Sequence, residues 1–346
     1  MRAVRILGDQ RVDIIDAPEP EPHDDYVVVK VVASAICGTE RHAYEDGMSK
    51  PAQAAGVTNA GHEAAGVVWK ARHGGRFKEG DRVNLFSTRS HCGRCPHCSV
   101  GRWVLCQGEP PAAGFGYHAQ FVLRREDFCL PLADDIDFQT ASLFGDVLGT
   151  AYRAIRRIRI TAGETVLIMG QGPIGLAATM ICRFMGAAVI AGDRNPYRLE
   201  LAERCGASAT VLWENDDSVA RVAEIAGAEG VDAAIDCAGA QSTRLGCLAA
   251  VRRGGRVALV GLGEGLELDA PTFSRNVFLK DLELVASWYS NPSDMFELED
   301  LVRNGLKPER MLTHVLPLED AAEGFAAMFA GQSGKVILKP WPDEPD

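Results

Sequence analysis

No stretch of this 346-residue chain approaches the ~18 consecutive apolar residues that a membrane-spanning helix needs. Apolar runs such as 27–36 are broken by Lys30 and Ser34. The opening Met1-Arg2-Ala3-Val4-Arg5 enters an alternating strand pattern and lacks the apolar core of a secretory signal, so a cytoplasmic protein with no membrane partner is expected. Positive charge is also scarce. Against 47 Asp and Glu stand 36 Lys and Arg, a net charge of −11, which argues against a nucleic-acid partner, whose backbone is bound by clustered Lys and Arg. The basic cluster Arg153, Arg156, Arg157 and Arg159 ends a predicted helix, where cations complement the dipole. No internal repeat and no low-complexity tract is present, which excludes solenoids and disordered linkers.

The length exceeds what one ordinary core supports, so two domains are expected. Residues 1 to about 145 alternate short apolar strands with Gly, Pro and Asp, and a helical pattern first becomes strong over 138–157. From about 150 to 285 strands and helices alternate, with strands predicted at 165–169, 188–192, 209–212, 231–236, 256–260 and 282–286. That is the pattern of a doubly wound parallel sheet and an α/β fold class. The boundaries that follow are a β-rich domain from 1–149 and 287–346, with a nucleotide-binding domain from 150–286 between them.

Ten cysteines would imply disulfides in a small secreted protein, but a large cytosolic chain points to metal or chemistry instead. Cys92, Cys95, Cys98 and Cys106 are spaced by three, three and eight, within a lobe of about 90–107. Four thiolates in one short loop suit tetrahedral zinc, and a closed all-cysteine shell leaves no position for a substrate, so this zinc is structural. An iron–sulfur cluster is the rival; the missing Cys-Pro of ferredoxin-type runs weighs against it. Cys129, Cys182, Cys205, Cys237 and Cys247 are scattered among apolar residues as small hydrophobes.

A second set of metal-binding residue types lies upstream. Cys37-Gly-Thr-Glu-Arg-His42 follows a strand, and Gly61-His62-Glu63-Ala-Ala-Gly66 opens another segment. With Gly80-Asp81-Arg82-Val83, the four-cysteine lobe and a later glycine fingerprint, these motifs occur in the order of the zinc-containing medium-chain alcohol dehydrogenases, which the chain resembles over essentially its whole length. The resemblance implies a GroES-like β-rich catalytic domain joined to a Rossmann domain. It also implies a catalytic zinc held by Cys37 and His62, with Glu63 either a supporting group or an exchangeable ligand. In this family a third ligand precedes the nucleotide domain, as Cys in many members and as an acidic residue in others. Asp146, in Leu143-Phe144-Gly145-Asp146-Val147, stands there with no cysteine nearby. Its rival reading is a helix-capping carboxylate. Thr39 and His42 match the family's proton relay, passing from the substrate oxygen through the cofactor ribose to the imidazole.

The cofactor fingerprint reads Gly170-Gln-Gly172-Pro173-Ile174-Gly175 after the strand 165–169 and before a helix. The glycines allow a tight turn, close approach of a pyrophosphate and close helix packing, and the phosphates sit on the helix N-terminus. Asp193, 18 residues after Gly175, ends the next strand; it should accept the adenosine ribose hydroxyls and repel a 2′-phosphate, favouring NAD over NADP. Arg194 beside it partly tolerates that phosphate. Arg198 on the following helix, Cys237 after the fourth strand, and Val260 with Gly261 at the end of the fifth complete the candidate cofactor contacts.

The implied reaction is hydride transfer between an alcohol carbon and NAD, with two zinc ions per chain. The 24 residues between Cys37 and His62 and the acidic third ligand resemble the polyol and threonine dehydrogenase branch, so a polyol or sugar-derived secondary alcohol is the leading substrate. Glu40 departs from the Asp usual in threonine dehydrogenases. A threonine-type amino alcohol or an aldehyde-handling relative is the alternative. A non-catalytic nucleotide-binding relative is disfavoured by the intact ligands and relay. Phe86, Trp288 and Tyr289 are candidate pocket aromatics. A homodimer or homotetramer is expected.

Overall fold

The computed structural model describes residues 1–46, 60–87, 91–108, 116–214 and 217–343; position 90 of the expected lobe and the last three residues lie outside them. In chain order the strands are β1 Arg2–Gly8, β2 Arg11–Asp16, β3 Tyr26–Ala35, β4 Ala64–Lys70, β5 Arg82–Leu85, β6 Phe121–Arg125, β7 Cys129–Pro131, β8 Thr165–Met169, β9 Ala188–Asp193, β10 Ala209–Leu212, β11 Val231–Asp236, β12 Val251–Leu259, β13 Glu283–Ala286, β14 Leu312–Pro317 and β15 Lys335–Lys339. The helices needed here are α1 Arg41–Asp46, α2 Pro173–Phe184, α3 Pro196–Arg204 and α4 Gln241–Ala250.

Two compact units emerge. One comprises Met1–Gly149, Ser290–Asp300 and Leu312–Asp346; the other comprises Thr150–Tyr289 with Leu301–Met311. The second reaches past the expected 150–286 because 301–311 packs on it: Leu306 and Met311 are buried, and Arg204 Nε donates to the Arg310 carbonyl at 2.7 Å.

In the first unit the sheet runs β14-β15-β3-β4-β5-β7, with β6 also on β3. The near-continuous apolar run of β3 suits its central place between β15, β4 and β6. Val27, Val29 and Val31 point into a core with Val68, Val83, Leu85 and Tyr117. The C-terminal strand β15 thereby lies beside the strand that leads to Cys37.

The second unit has six parallel strands in the order β10-β9-β8-β11-β12-β13. The order reverses at β8, so the turn after β8 sits where such sheets bind ligands. Gly172 caps α2 with Pro173 in its first turn, and the Asn195 side chain accepts from Tyr197 N at 3.0 Å to cap α3.

The helical pattern expected over 138–157 is realised in pieces. Asp137 caps a short helix Phe138–Ser142; a wide turn follows over Phe144–Leu148, with Leu148 N bonded to Leu143 O; a new helix runs Gly149–Arg157. Ser290 Oγ donates to Gly145 O at 2.8 Å, and a Cβ at Gly149 would come within 2.7 Å of the Ser290 side chain. A donor from elsewhere in the unit thus satisfies the carbonyl that the wide turn frees, and Asp146 sits in the middle of that turn.

Candidate active site

Three separate segments of the first unit converge. Cys37 follows β3, His62 and Glu63 precede β4, and Asp146 comes from the wide turn. Their ligand atoms lie within 4.8 Å of one another. Asp146 Oδ2 is 3.0 Å from His62 Nε2 and 3.5 Å from Cys37 Sγ. Cys37, Glu63 and Asp146 are buried. Burial raises the Cys37 thiol above its ordinary pKa, and the Asp146 carboxylate raises it further. Burial alone would lower His62, yet Cys37 and Asp146 hold it well above the usual imidazole range. Burial pushes Glu63 up to about 7, against the pull of Lys335. One sulfur, one imidazole and two carboxylates crowded this way ask for a cation, and the donor set is one that zinc accepts.

Lys335, on β15, lies beneath this group. Its ammonium donates to Glu63 Oε1 at 2.7 Å and to the Ile36 carbonyl at 2.8 Å, with both side chains essentially inaccessible. Glu63 Oε2 has no hydrogen-bond partner among the described residues. Lys335→Met would strand the carboxylate. We expect a loss of about 3–5 kcal/mol from the unit holding it. The urea midpoint measures this; an unmoved midpoint would show that the pair contributes nothing.

Thr39 is exposed, and its hydroxyl donates to Cys37 Sγ at 3.3 Å. His42 is exposed on α1. Glu40 is buried; although burial works to raise it, His118 beside it brings its carboxyl down to about 2.

The thiols of Cys92, Cys95, Cys98 and Cys106 also gather within 4.8 Å. Gly93 and Gly101 take left-handed φ of 71° at the turns around them, and Cys98 N and Gly108 N donate to Cys95 Sγ and Cys106 Sγ at 3.4 and 3.3 Å. Backbone N–H groups of Arg94 and Cys95 lower the Cys92 thiol, whereas burial pushes Cys98 up to about 12.

In the second unit Gly170 has φ 85°, and a Cβ on Gly175 would fall 1.8 Å from the Gly170 carbonyl oxygen; around Gly172 nothing lies within 4 Å. Pro173 and Ile174 start α2. Asp193 ends β9, its carboxylate accepting from Gln171 N at 2.5 Å and Asn195 N at 2.9 Å. Arg194 is exposed, and Arg198, on α3, keeps a buried Nε without a partner among the described residues. Cys237 N donates to Met169 O at 2.8 Å, and the amides of Val260 and Gly261 both donate to Asp236 O at 2.9 Å. Cys129, Cys182, Cys205 and Cys247 are buried, Cys237 half-buried.

Among the aromatics, Phe86 is a core residue, wholly buried edge-on to Trp103. Trp288 is 43% exposed, and Tyr289 has φ 58°. Sequence reasoning missed Lys335, His118 and Arg244. Arg244 pairs with Asp236 at 3.3 Å and donates to Gly261 O at 2.9 Å, tying the end of β11 to the loop after β12. A buried anion without a nearby cation in sequence was the available signal for Lys335.

Residues 23–134 match the alcohol dehydrogenase GroES-like domain, and residues 173–304 match the zinc-binding dehydrogenase family. An L-threonine 3-dehydrogenase of Shewanella putrefaciens is 32% identical over 96% of this chain and 98% of its own. An uncharacterized zinc-type alcohol dehydrogenase-like protein of Escherichia coli is 31% identical over 99% of both. Among solved structures, an alcohol dehydrogenase of Thermus sp. ATN1 superposes with TM-score 0.85 at 28% identity, over 98% of this chain and 99% of that one. A zinc-binding dehydrogenase of Sinorhizobium meliloti bound to NADP has TM-score 0.82 at 27% identity, with the same coverage. With its two family domains, its Cys/His/carboxylate cluster and its dinucleotide turn, the chain belongs to the zinc-dependent medium-chain alcohol dehydrogenases, oxidoreductases that act on CH–OH donors with zinc and a nicotinamide cofactor.

Proposed function

We propose that the protein oxidises a secondary alcohol of the polyol or sugar-derived class, passing the hydride to NAD. The observation that carries this is the meeting of Cys37, His62, Glu63 and Asp146 within 4.8 Å. Cys37, His62 and Asp146 would hold the catalytic zinc, which when bound supplies a Lewis acid that lowers the pKa of the substrate hydroxyl. Lys335 neutralises Glu63, so one thiolate and one carboxylate balance a dication and the site stays near neutral. Glu63 remains a candidate fourth protein donor through its unbonded oxygen. The Thr39 hydroxyl, beside Cys37, would accept the substrate proton while handing its own to the cofactor ribose, and exposed His42 would carry the proton from the ribose to solvent. Cys92, Cys95, Cys98 and Cys106 would hold the second, structural zinc.

On the nucleotide side, the amides of the 170–175 turn and the N-terminus of α2 would hold the pyrophosphate. Asp193, with Cys237, Val260 and Gly261 at neighbouring strand ends, would line the rest of the cofactor. Asp193→Ala should lower kcat/KM for NAD by about 10–100-fold, the worth of charge-assisted hydrogen bonds to a ribose, and leave the value for NADP unchanged or higher. An equal loss with both cofactors would remove Asp193 from ribose recognition.

Elemental analysis tests the metal reading: two zinc atoms per chain are expected, and one or none overturns the catalytic site. The threonine-type alternative is favoured by the threonine 3-dehydrogenase relatives. A panel of polyols and L-threonine separates the two, and turnover of threonine alone would replace the polyol reading. No helix among the described residues is long and apolar enough to cross a membrane. We also propose a homodimer or homotetramer. The outer strand β13 shows an exposed Leu284, and Phe278 and Leu279 just before it are 72% and 61% exposed, an edge suited to a second copy. A monomer by light scattering would refute that assembly.

A further inference from the structure

Behind the metal cluster runs a buried polar chain that neither ligation nor hydride transfer uses. Ser34 Oγ lies 2.6 Å from His118 Nδ1 and 3.3 Å from the Glu63 carbonyl oxygen. The other ring nitrogen, Nε2, lies 3.3 Å from Glu40 Oε2. Ser34 and His118 are wholly buried and Glu40 nearly so. The Glu40 carboxylate in turn accepts the backbone N–H of Cys37 at 3.0 Å and that of Gly61 at 2.7 Å. Those two amides belong to separate loops, one carrying Cys37 and the other leading directly into His62. One carboxylate therefore bridges the segments that present the thiolate and the imidazole.

The segment around His118 grips the same turn. Gly116 N and Tyr117 N donate to the Gly61 carbonyl at 3.0 and 3.2 Å, and His118 N donates to the Ala60 carbonyl at 3.0 Å. Gly61 takes φ 89°, and a Cβ there would lie 2.6 Å from His118 N and 2.7 Å from its Nδ1, so the imidazole packs hard against the turn before His62. A carboxylate can only accept, so with Glu40 ionised the His118 Nε2–H is its donor. Without that donor a buried carboxylate loses part of what offsets its desolvation, and its rotamer is no longer held between the two amides.

We propose that His118 is a positioning residue of the metal centre: anchored by Ser34, its ring holds the Glu40 carboxylate in the orientation that locks the Cys37 loop to the His62 loop. The proposal rests on the metal reading above and extends it to residues that touch neither metal nor substrate. His118→Phe keeps a ring of similar size but removes both polar atoms. His118→Gln returns one N–H toward Glu40.

The test follows zinc release from the full-length holoenzyme to a chromophoric chelator, where the open site and the four-cysteine lobe are expected to empty in separate phases. His118→Phe should speed the open-site phase by about 10–100-fold and leave the lobe phase unchanged, while His118→Gln restores most of the retention. In the cobalt-substituted chain the visible d–d bands should shift in the phenylalanine variant and return in the glutamine variant. Release of both metals at wild-type rates with unshifted bands overturns the proposal. Ser34→Ala, which keeps the ring and removes its anchor, covers a phenylalanine variant that does not fold. Its open-site phase should also quicken, and an unchanged rate counts against the proposal. A wild-type chain that releases a single zinc would instead remove the metal reading beneath it.

Discussion

Asp146→Ala is expected to cost about a thousandfold or more in kcat/KM, roughly 4 kcal/mol of transition-state stabilisation, and to lower the zinc content from two atoms per chain to one. The carboxylate sits 3.0 Å from His62 Nε2 and 3.5 Å from Cys37 Sγ and is only 7% exposed, and the methyl of alanine offers no donor in its place. Its rival reading, a helix-capping carboxylate, sits poorly with this placement. Asp146 lies inside a wide turn and its oxygen faces a thiol and an imidazole. Asp146→Cys offers a different anionic ligand at the same place and should keep both metals. Retention of two zinc atoms and most of the activity by the alanine variant would remove Asp146 from the ligand set.

Gly175→Ala should weaken NAD binding by about a hundredfold or more while both zinc atoms stay bound. The added methyl would come 1.8 Å from the Gly170 carbonyl oxygen and 2.8 Å from its carbon, and both atoms belong to the turn that would hold the pyrophosphate. Neither can rotate away as a side chain could, so the turn itself must open and its amides lose their common aim. Gly172→Ala is the informative contrast. Nothing lies within 4 Å of a Cβ there, so folding should be unaffected. A loss of NAD affinity at this position would then report direct crowding of the phosphates. Fluorescence titration with NADH reads both variants; unchanged dissociation constants in both would place the dinucleotide elsewhere.

What could be read from the sequence was what closes over short spans of chain. The four cysteines lie within 15 residues, from 92 to 106, and their convergence is enforced by the turns at Gly93 and Gly101. The turn from Gly170 to Gly175 and the acidic end of β9 are likewise local, because a strand, a glycine turn and a helix N-terminus together specify their own geometry. The alternation of strands and helices after residue 150 announced the parallel sheet, since strands buried on both faces must be apolar throughout.

The rest required tertiary structure. Cys37 and Asp146 are 109 residues apart and meet because β3 and the wide turn end at one place. The sequence over 138–157 reads as helical, without marking where it breaks. The break that presents Asp146 depends on Ser290, 145 residues beyond Gly145, supplying a hydrogen bond and leaving no room for a side chain at Gly149. Lys335 reaches Glu63 across 272 residues because β15 pairs with β3, and no periodicity encodes that pairing. His118, 78 residues from Glu40, was invisible for the same reason. Residue types and short spacings pointed to the atoms proposed to bind metal and dinucleotide. Strand pairing across the chain decided which of them meet, and which buried charges hold them in place.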